Sequence, residues 1–239
     1  MKKILFFIPI IILCISVSFA QDKIFYTNGP KDAKRAALSF DDGPGASTLA
    51  TLDILKKKAV KATFFMLGDN VRKRPKFSKA VADGGHEIAN HTYSHINFYQ
   101  YKEEDRVSKI ESELIKSQEE IFNAVSVKTY LVRYPYGYSG KDALDIAKKH
   151  NYKVVNWTFG ADWNVSDSAE NMKEQYLKAL QPGAIFLMHD APINAKELSF
   201  LEALIDEIIK QGYEIVTVGE LLDAAAQDID AQKREQKNP

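Results

Sequence analysis

The sequence predicts an α/β fold with about seven parallel strands, and two observations carry that reading. Short continuous apolar runs, rich in β-branched and aromatic residues, recur along the chain, as parallel strands buried on both faces require. Between them lie segments of helical periodicity with charge on the opposite face, so strand and helix alternate. A closed or nearly closed barrel and an open doubly wound sheet both fit this alternation. In either, a functional site belongs at the C-terminal ends of the strands.

The elements follow in order. Residues 1–20, "MKKILFFIPIIILCISVSFA", read as a secretory signal: Lys2 and Lys3 precede an apolar run, and Ala20 is a small residue at the cleavage point. An uncleaved membrane anchor is the alternative, since the run approaches the shortest spanning length. Leu13 before Cys14 is too bulky for a lipoprotein signal. Residues 21–34 form a polar leader with a turn signal at "TNGP". The strand candidates are 36–40, 62–67, 86–90, 129–132, 152–159, 184–189 and 213–218.

Helical patterns cover 47–60, 103–125, 141–150, 168–180 and 195–212. The first opens on a Ser-Thr cap and places Leu49, Leu52 and Ile54/Leu55 on one face. The second spaces Val107, Ile110, Leu114, Ile121 and Val125 at helical intervals. Gly183 and Gly212 punctuate the returns to strand. One domain spans residues 35–225, and residues 226–239 form a polar tail.

Composition bounds the function. The chain has 239 residues, 45% hydrophobic, enough for one sizeable core. Its formal charge is +0, and without Lys2 and Lys3 the 32 basic residues become 30 against 32 acidic ones. That excludes the basic field of a nucleic-acid binder. Cleavage after Ala20 would remove Cys14, leaving an exported protein, periplasmic or secreted, without disulfides.

Polar residues following each apolar run are the candidates for chemistry: Asp41-Asp42, His91 to His95, Arg133 to Gly137, Asp162-Trp163 and His189-Asp190. Two adjacent carboxylates behind a buried strand repel each other, and a cation relieves that repulsion. His91 and His95 are spaced i, i+4, which on a helical turn puts both imidazoles on one side, a geometry suited to a divalent metal. An aspartate from another strand end completes a three-ligand set with open positions, and the neighbouring aspartate can act as a base. Each feature also has a plain structural reading: an acidic turn or helix cap, a chance surface histidine pair, a core histidine, packing aromatics. His86 fits a strand start, and His150 a helix C-terminus.

The motifs together resemble the polysaccharide deacetylases of the NodB-homology type, carbohydrate esterase family 4. The likeness runs from about Arg35 to Leu222. "SFDDG", with Ser39 where threonine is usual, "HTYSH", "RYPYG", "DW" and "LMH" are similar to the family's five motifs, in order. The resemblance implies a distorted (β/α) barrel and a deacetylase requiring one divalent metal ion, zinc first, with cobalt or another ion as alternatives. It further implies Asp41 as general base, with Asp42, His91 and His95 as metal ligands. His189 would be the general acid, Arg133 the partner of Asp41, and Asp162 the partner of His189. Tyr136, whose backbone N–H would serve the oxyanion, would line an acetyl pocket with Trp163 and Leu187.

One departure stands out: Phe159 replaces the first aspartate of the fourth motif, D-x-x-D-W, so the groove wall there is expected to differ. The implied substrate is an acetylated polysaccharide, peptidoglycan- or chitin-like, bearing N-acetyl or, as a lesser alternative, O-acetyl groups. No nucleic acid is expected as partner, and a membrane only if the signal segment is retained. Two rivals remain at this point: a hydrolase of C–N bonds in small amides or imides on the same fold, and a non-catalytic glycan-binding module.

Overall fold

The computed structural model describes residues 23–164, 166–191 and 195–222. The signal segment and the polar tail lie outside the described residues. Nine strands form one sheet: β1 (Phe25–Tyr26), β2 (Arg35–Asp41), β3 (Thr63–Met66), β4 (Glu87–Asn90), β5 (Leu131–Val132), β6 (Lys153–Val155), β7 (Phe159–Gly160), β8 (Ala184–His189) and β9 (Glu214–Val216). The order is β1-β6-β5-β4-β3-β2-β8-β7, and every pairing is parallel. β9 pairs with Arg35–Ala37 of β2, below the stretch Ser39–Asp41 that pairs with β3. The helices are α1 (Thr48–Lys57), α2 (Gly68–Lys73), α3 (Pro75–Asp83), α4 (Arg106–Val125), α5 (Lys141–Lys149), α6 (Ala169–Lys178) and α7 (Ala195–Lys210).

The sheet curls into a distorted barrel whose seam is closed by the run the sequence reads as one strand, 152–159. That run breaks into β6 and β7, which lie towards opposite ends of the sheet. Across the break the Thr158 N–H donates to the Ile185 carbonyl at 2.8 Å, and the Ile185 N–H donates to Thr158 Oγ1 at 3.1 Å. The leader also contributes: β1 pairs with β6, and the Gly29 N–H reaches the Gly183 carbonyl on the β8 side at 2.8 Å. Nine strands replace the expected seven because the leader supplies β1 and the long run divides.

Register explains where the site stands. Alternate residues face inward, so the barrel floor takes one side chain from each of several strands: Ala37, Phe65, Ala89, Leu131, Val155 and Ile185, closed below by Val216, Val218, Leu221 and Leu222. Two and four residues further along the same inward faces come Ser39, Asp41, His91, Arg133, Leu187 and His189. The outward residues Leu38, Phe40, Phe64, Met66, Ile88, Phe186 and Met188 pack in a separate layer with Leu55, Met172, Leu201, Leu204, Ile205 and Ile208 of the helices. A third cluster joins Val132 and Val154 to Ile110, Leu114, Ala143 and Ile146 under α4 and α5.

Some helical detail departs from expectation. Ser47 stands at the N-cap of α1 but makes no side-chain cap bond, and Leu49 faces solvent, as does Val107 on α4. The α4 face buries Ile110, Glu113, Leu114, Ser117 and Ile121. α2 and α3, which the sequence reading does not place, are short and meet at Arg74-Pro75. No helix among the described residues is long and apolar enough to cross a membrane.

Candidate active site

Asp41 ends β2 as one of its inward residues, 3% exposed, beneath a guanidinium that is 0% exposed. Arg133 Nη1 donates to Asp41 Oδ1 at 2.6 Å and to Ser39 Oγ at 2.9 Å. Its Nε and Nη2 donate to the carbonyls of Val155 and Asn156 at 3.0 and 3.1 Å, and the guanidinium lies 4.0 Å over the Phe65 ring. A buried cation so fully occupied on four acceptors cannot swing away, so the Asp41 carboxylate is fixed beside it. Ser39 relays the arrangement by donating to the Phe186 carbonyl.

Asp42 adopts a left-handed backbone (φ 69°), which an aspartate tolerates. Its Oδ1 is buried without a hydrogen-bond partner, yet lies 3.3 Å from His91 Nε2 and 3.1 Å from His95 Nε2. The expected helical turn for the two histidines is absent. Residues 91–95 form an irregular loop, and positive φ at Thr92 (68°) and His95 (60°) folds it back on itself. His91 Nδ1 is 2.7 Å from the Arg133 carbonyl. A carbonyl only accepts, so Nδ1 carries the proton and Nε2 is the nitrogen left to face Asp42. Ligand atoms of Asp42, His91 and His95 all lie within 4.8 Å of one another. Three donor atoms aimed at one point, one of them an orphaned buried oxygen, fit a divalent cation. Burial works to raise the Asp42 carboxyl, but the two imidazoles outweigh it and hold it far below the usual carboxylate range.

His189 ends β8 directly beside Asp41 in register. Its backbone N–H donates to Asp162 Oδ2 at 2.7 Å and its Nδ1 lies 2.9 Å from Asp162 Oδ1. Burial works against the imidazolium, but the Asp162 hydrogen bond and charge, with Asp41 and Asp42 behind, push it up to about 9. Tyr136 (φ 60°) packs on His95 with ring centroids 5.0 Å apart, and Trp163 stands edge-on to His189 at 5.9 Å. Both are half-exposed, whereas Leu187 is buried inside the barrel below His189. The ten residues to which the resemblance gives a role are thus brought to one end of the barrel. The Phe159 ring packs outward against Tyr176 at 5.1 Å.

Two residues at this end, Glu113 and Asn90, escaped sequence reading, and a third, Asp190, was singled out there without a role. Buried Glu113 on α4 accepts the N–H groups of Tyr93 and Ser94 at 3.1 and 2.7 Å and the Ser94 hydroxyl at 2.9 Å, pinning the loop between the histidines. Asn90 Oδ1 accepts the Thr92 N–H at 2.8 Å while its amide donates to the Leu114 carbonyl. Asp190, fully buried, accepts from Thr48 at the start of α1, and burial pushes its carboxyl up to about 7. A Cβ on Gly43 would come 2.3 Å from Asp190 Oδ1, so only glycine lets the Asp41–Asp42 turn pass. A charged residue on the buried face of α4 was the one available signal for Glu113.

A family model described as polysaccharide deacetylase matches residues 28–155. The chain belongs to the polysaccharide deacetylase family. It carries the family's NodB-homology domain, carbohydrate esterase family 4. A peptidoglycan-N-acetylglucosamine deacetylase of Bacillus cereus is 33% identical over 205 residues, 84% of this chain and 73% of that protein. Among solved structures, the Bc1960 peptidoglycan N-acetylglucosamine deacetylase in complex with a naphthalenyl N-hydroxybenzamide superposes with a TM-score of 0.79. It is 31% identical, with 87% of this chain and 96% of that one covered. The family also contains a protein without activity: BA3943 of Bacillus anthracis, described as a pseudoenzyme, has a TM-score of 0.76 at 28% identity over 82% of this chain and 68% of that one. The distorted barrel expected for a polysaccharide deacetylase is the fold observed.

Proposed function

We propose that this chain is a metal-dependent deacetylase that hydrolyses N-acetyl groups of an exported or cell-wall polysaccharide. The observation that carries this reading is the orphaned Asp42 Oδ1 facing two imidazole Nε2 atoms between a fixed carboxylate, Asp41, and a buttressed imidazole, His189. Asp42, His91 and His95 would hold one divalent ion, zinc first, which when bound supplies a Lewis acid for the acetamide carbonyl and for water. Asp41, locked by Arg133, takes the proton of the attacking water. His189, held by Asp162, protonates the sugar nitrogen as the C–N bond breaks, so acetate and a free amine leave. The Tyr136 N–H serves the oxyanion, and Tyr136, Trp163 and Leu187 receive the methyl group. Two relatives named as peptidoglycan deacetylases, acting on N-acetylglucosamine and N-acetylmuramic acid, support a glycan of that class as substrate. A lysine-led apolar segment at residues 1–20 supports export to the compartment that holds such a polymer.

The test separates the two aspartates. Asp42→Asn is expected to lose both bound metal and acetate release from N-acetylglucosamine oligomers. Asp41→Asn is expected to keep the metal and lose on the order of 10²–10⁴ in rate. Metal stoichiometry and acetate release, each with and without chelator, decide it. Full activity in metal-free protein would overturn the mechanism, and metal loss in Asp41→Asn alone would reverse the two roles.

A further inference from the structure

Three large side chains are exposed around the mouth of the site: Tyr136 at 57%, Tyr99 at 52% and Trp163 at 50%. Two of them touch the chemistry, Trp163 at His189 and Tyr136 at His95. Tyr99 does not. It sits in the turn that follows His95, four residues on, with its N–H donating to Asn97 Oδ1 at 3.0 Å. Its hydroxyl lies 3.4 Å from the Gly137 carbonyl, next to Tyr136. Its ring meets Tyr138 at 4.9 Å in an edge-to-face contact. Tyr138 is a firm base, buried, donating to Asp142 Oδ1 at 2.6 Å and packed on Phe98.

Single exposed rings are ordinary, but one held on a rigid support beside two more at the same mouth offers a continuous apolar surface to a ligand. The sequence of contacts gives the surface a direction. Trp163 stands on His189, His189 pairs with Asp41 across β8 and β2, Asp42 faces His95, His95 carries Tyr136, and Tyr99 follows beyond Gly137. A pyranose has the same duality as a tyrosine, apolar C–H faces within a rim of hydroxyls. Building on the functional reading above, we infer that Tyr99 is a second sugar-binding platform, which takes the pyranose next to the acetylated sugar on the Tyr136 side. The enzyme therefore reads chain length, not a single acetylated sugar.

The experiment compares Tyr99→Ala, Tyr99→Phe and wild type on N-acetylglucosamine, which has no neighbouring sugar, and on its oligomer of five units. Phe122→Ala, an exposed aromatic at the opposite end of α4, serves as control. Tyr99→Ala is expected to lower the pentamer-to-monomer ratio of kcat/KM by about tenfold, mainly through KM, the scale of one aromatic contact. Tyr99→Phe and Phe122→Ala are expected to keep the wild-type ratio. A wild-type ratio in Tyr99→Ala overturns the platform. So does a Tyr99→Phe that behaves like Tyr99→Ala, since the hydroxyl contact and not the ring would then matter. Calorimetric binding of the pentamer to wild type and Tyr99→Ala separates the two readings. If no oligomer releases acetate, the functional reading fails, while a tenfold binding difference still upholds the platform and equal binding overturns it.

Discussion

Asp162 grips His189 twice, by the backbone N–H and by Nδ1, and so does two things to one imidazole. It holds Nδ1, which leaves Nε2 as the free nitrogen, and it stabilises the imidazolium. A general acid works only while protonated, so activity should fall as pH rises through the His189 value, about 9 with the carboxylates uncompensated. A cation on Asp42 removes part of that rise, which places the limb lower in the metal-loaded enzyme. Replacing Asp162 by Asn removes the nearest stabilising charge, so the alkaline limb of kcat should move to lower pH. His189→Ala should retain metal and lose at least about 10²-fold on N-acetylated glycan, and less on an activated aryl acetate, whose leaving group needs no proton. Equal losses on both substrates would remove His189 as the acid. These residues were legible in sequence because each directly follows an apolar run, and parallel strands bring such positions together. Asp190 follows one too, yet nothing in the sequence marks it as fully buried against Thr48 at the start of α1.

At the scale of elements, the metal loop depends on a helix far from it in sequence. Residues 91–95 hold two positive-φ backbones, including β-branched Thr92, and such a loop persists only if neighbours over-determine it. α4 supplies that constraint through Glu113, whose two oxygens take three hydrogen bonds from Tyr93 and Ser94. Glutamine offers one accepting oxygen, so Glu113→Gln should free part of the loop and weaken zinc binding by roughly 10–100-fold, the scale seen for partners of metal ligands. Titration of the metal-free protein against a competing chelator measures this, and unchanged affinity would show that the loop holds itself. Sequence periodicity located α4 within three residues at its start and none at its end. Periodicity predicts an apolar face, however, and cannot distinguish a buried carboxylate with three donors from a solvated one. The helical turn expected for His91 and His95 failed for a related reason. The i, i+4 spacing assumes right-handed backbone throughout, whereas Thr92 and His95 are left-handed.

For the molecule as a whole, the barrel's closure rests on a leader that reads in sequence only as polar with a turn signal. The run 152–159 looked like one strand because Tyr152, Val154, Val155, Trp157, Thr158 and Phe159 are all aromatic or β-branched. It breaks because Arg133 takes the carbonyls of Val155 and Asn156, while the Asn156 N–H goes to Tyr26 of the leader. The site's buried arginine and the seam are therefore parts of one construction. Gly183 is where the leader crosses β8: its φ is 79°, and a Cβ there would stand 2.5 Å from the carbonyl oxygens of both Gly29 and Pro30. Gly212 has a similar φ of 81°, but a Cβ there would meet only Lys34 Nζ at 4.0 Å. The two alanine variants separate backbone cost from seam cost. Gly212→Ala should lose about 1–2 kcal/mol for the left-handed backbone alone. Gly183→Ala carries that and the displacement of the leader as well, so it should lose several kcal/mol, with Tm lower by roughly 2–4 °C for each. His189 lies six residues along β8, at the other end of the strand, so kcat of folded Gly183→Ala at low temperature should match wild type. Equal Tm losses in the two variants would mean that the leader yields without cost and that the seam is held by Thr158 alone.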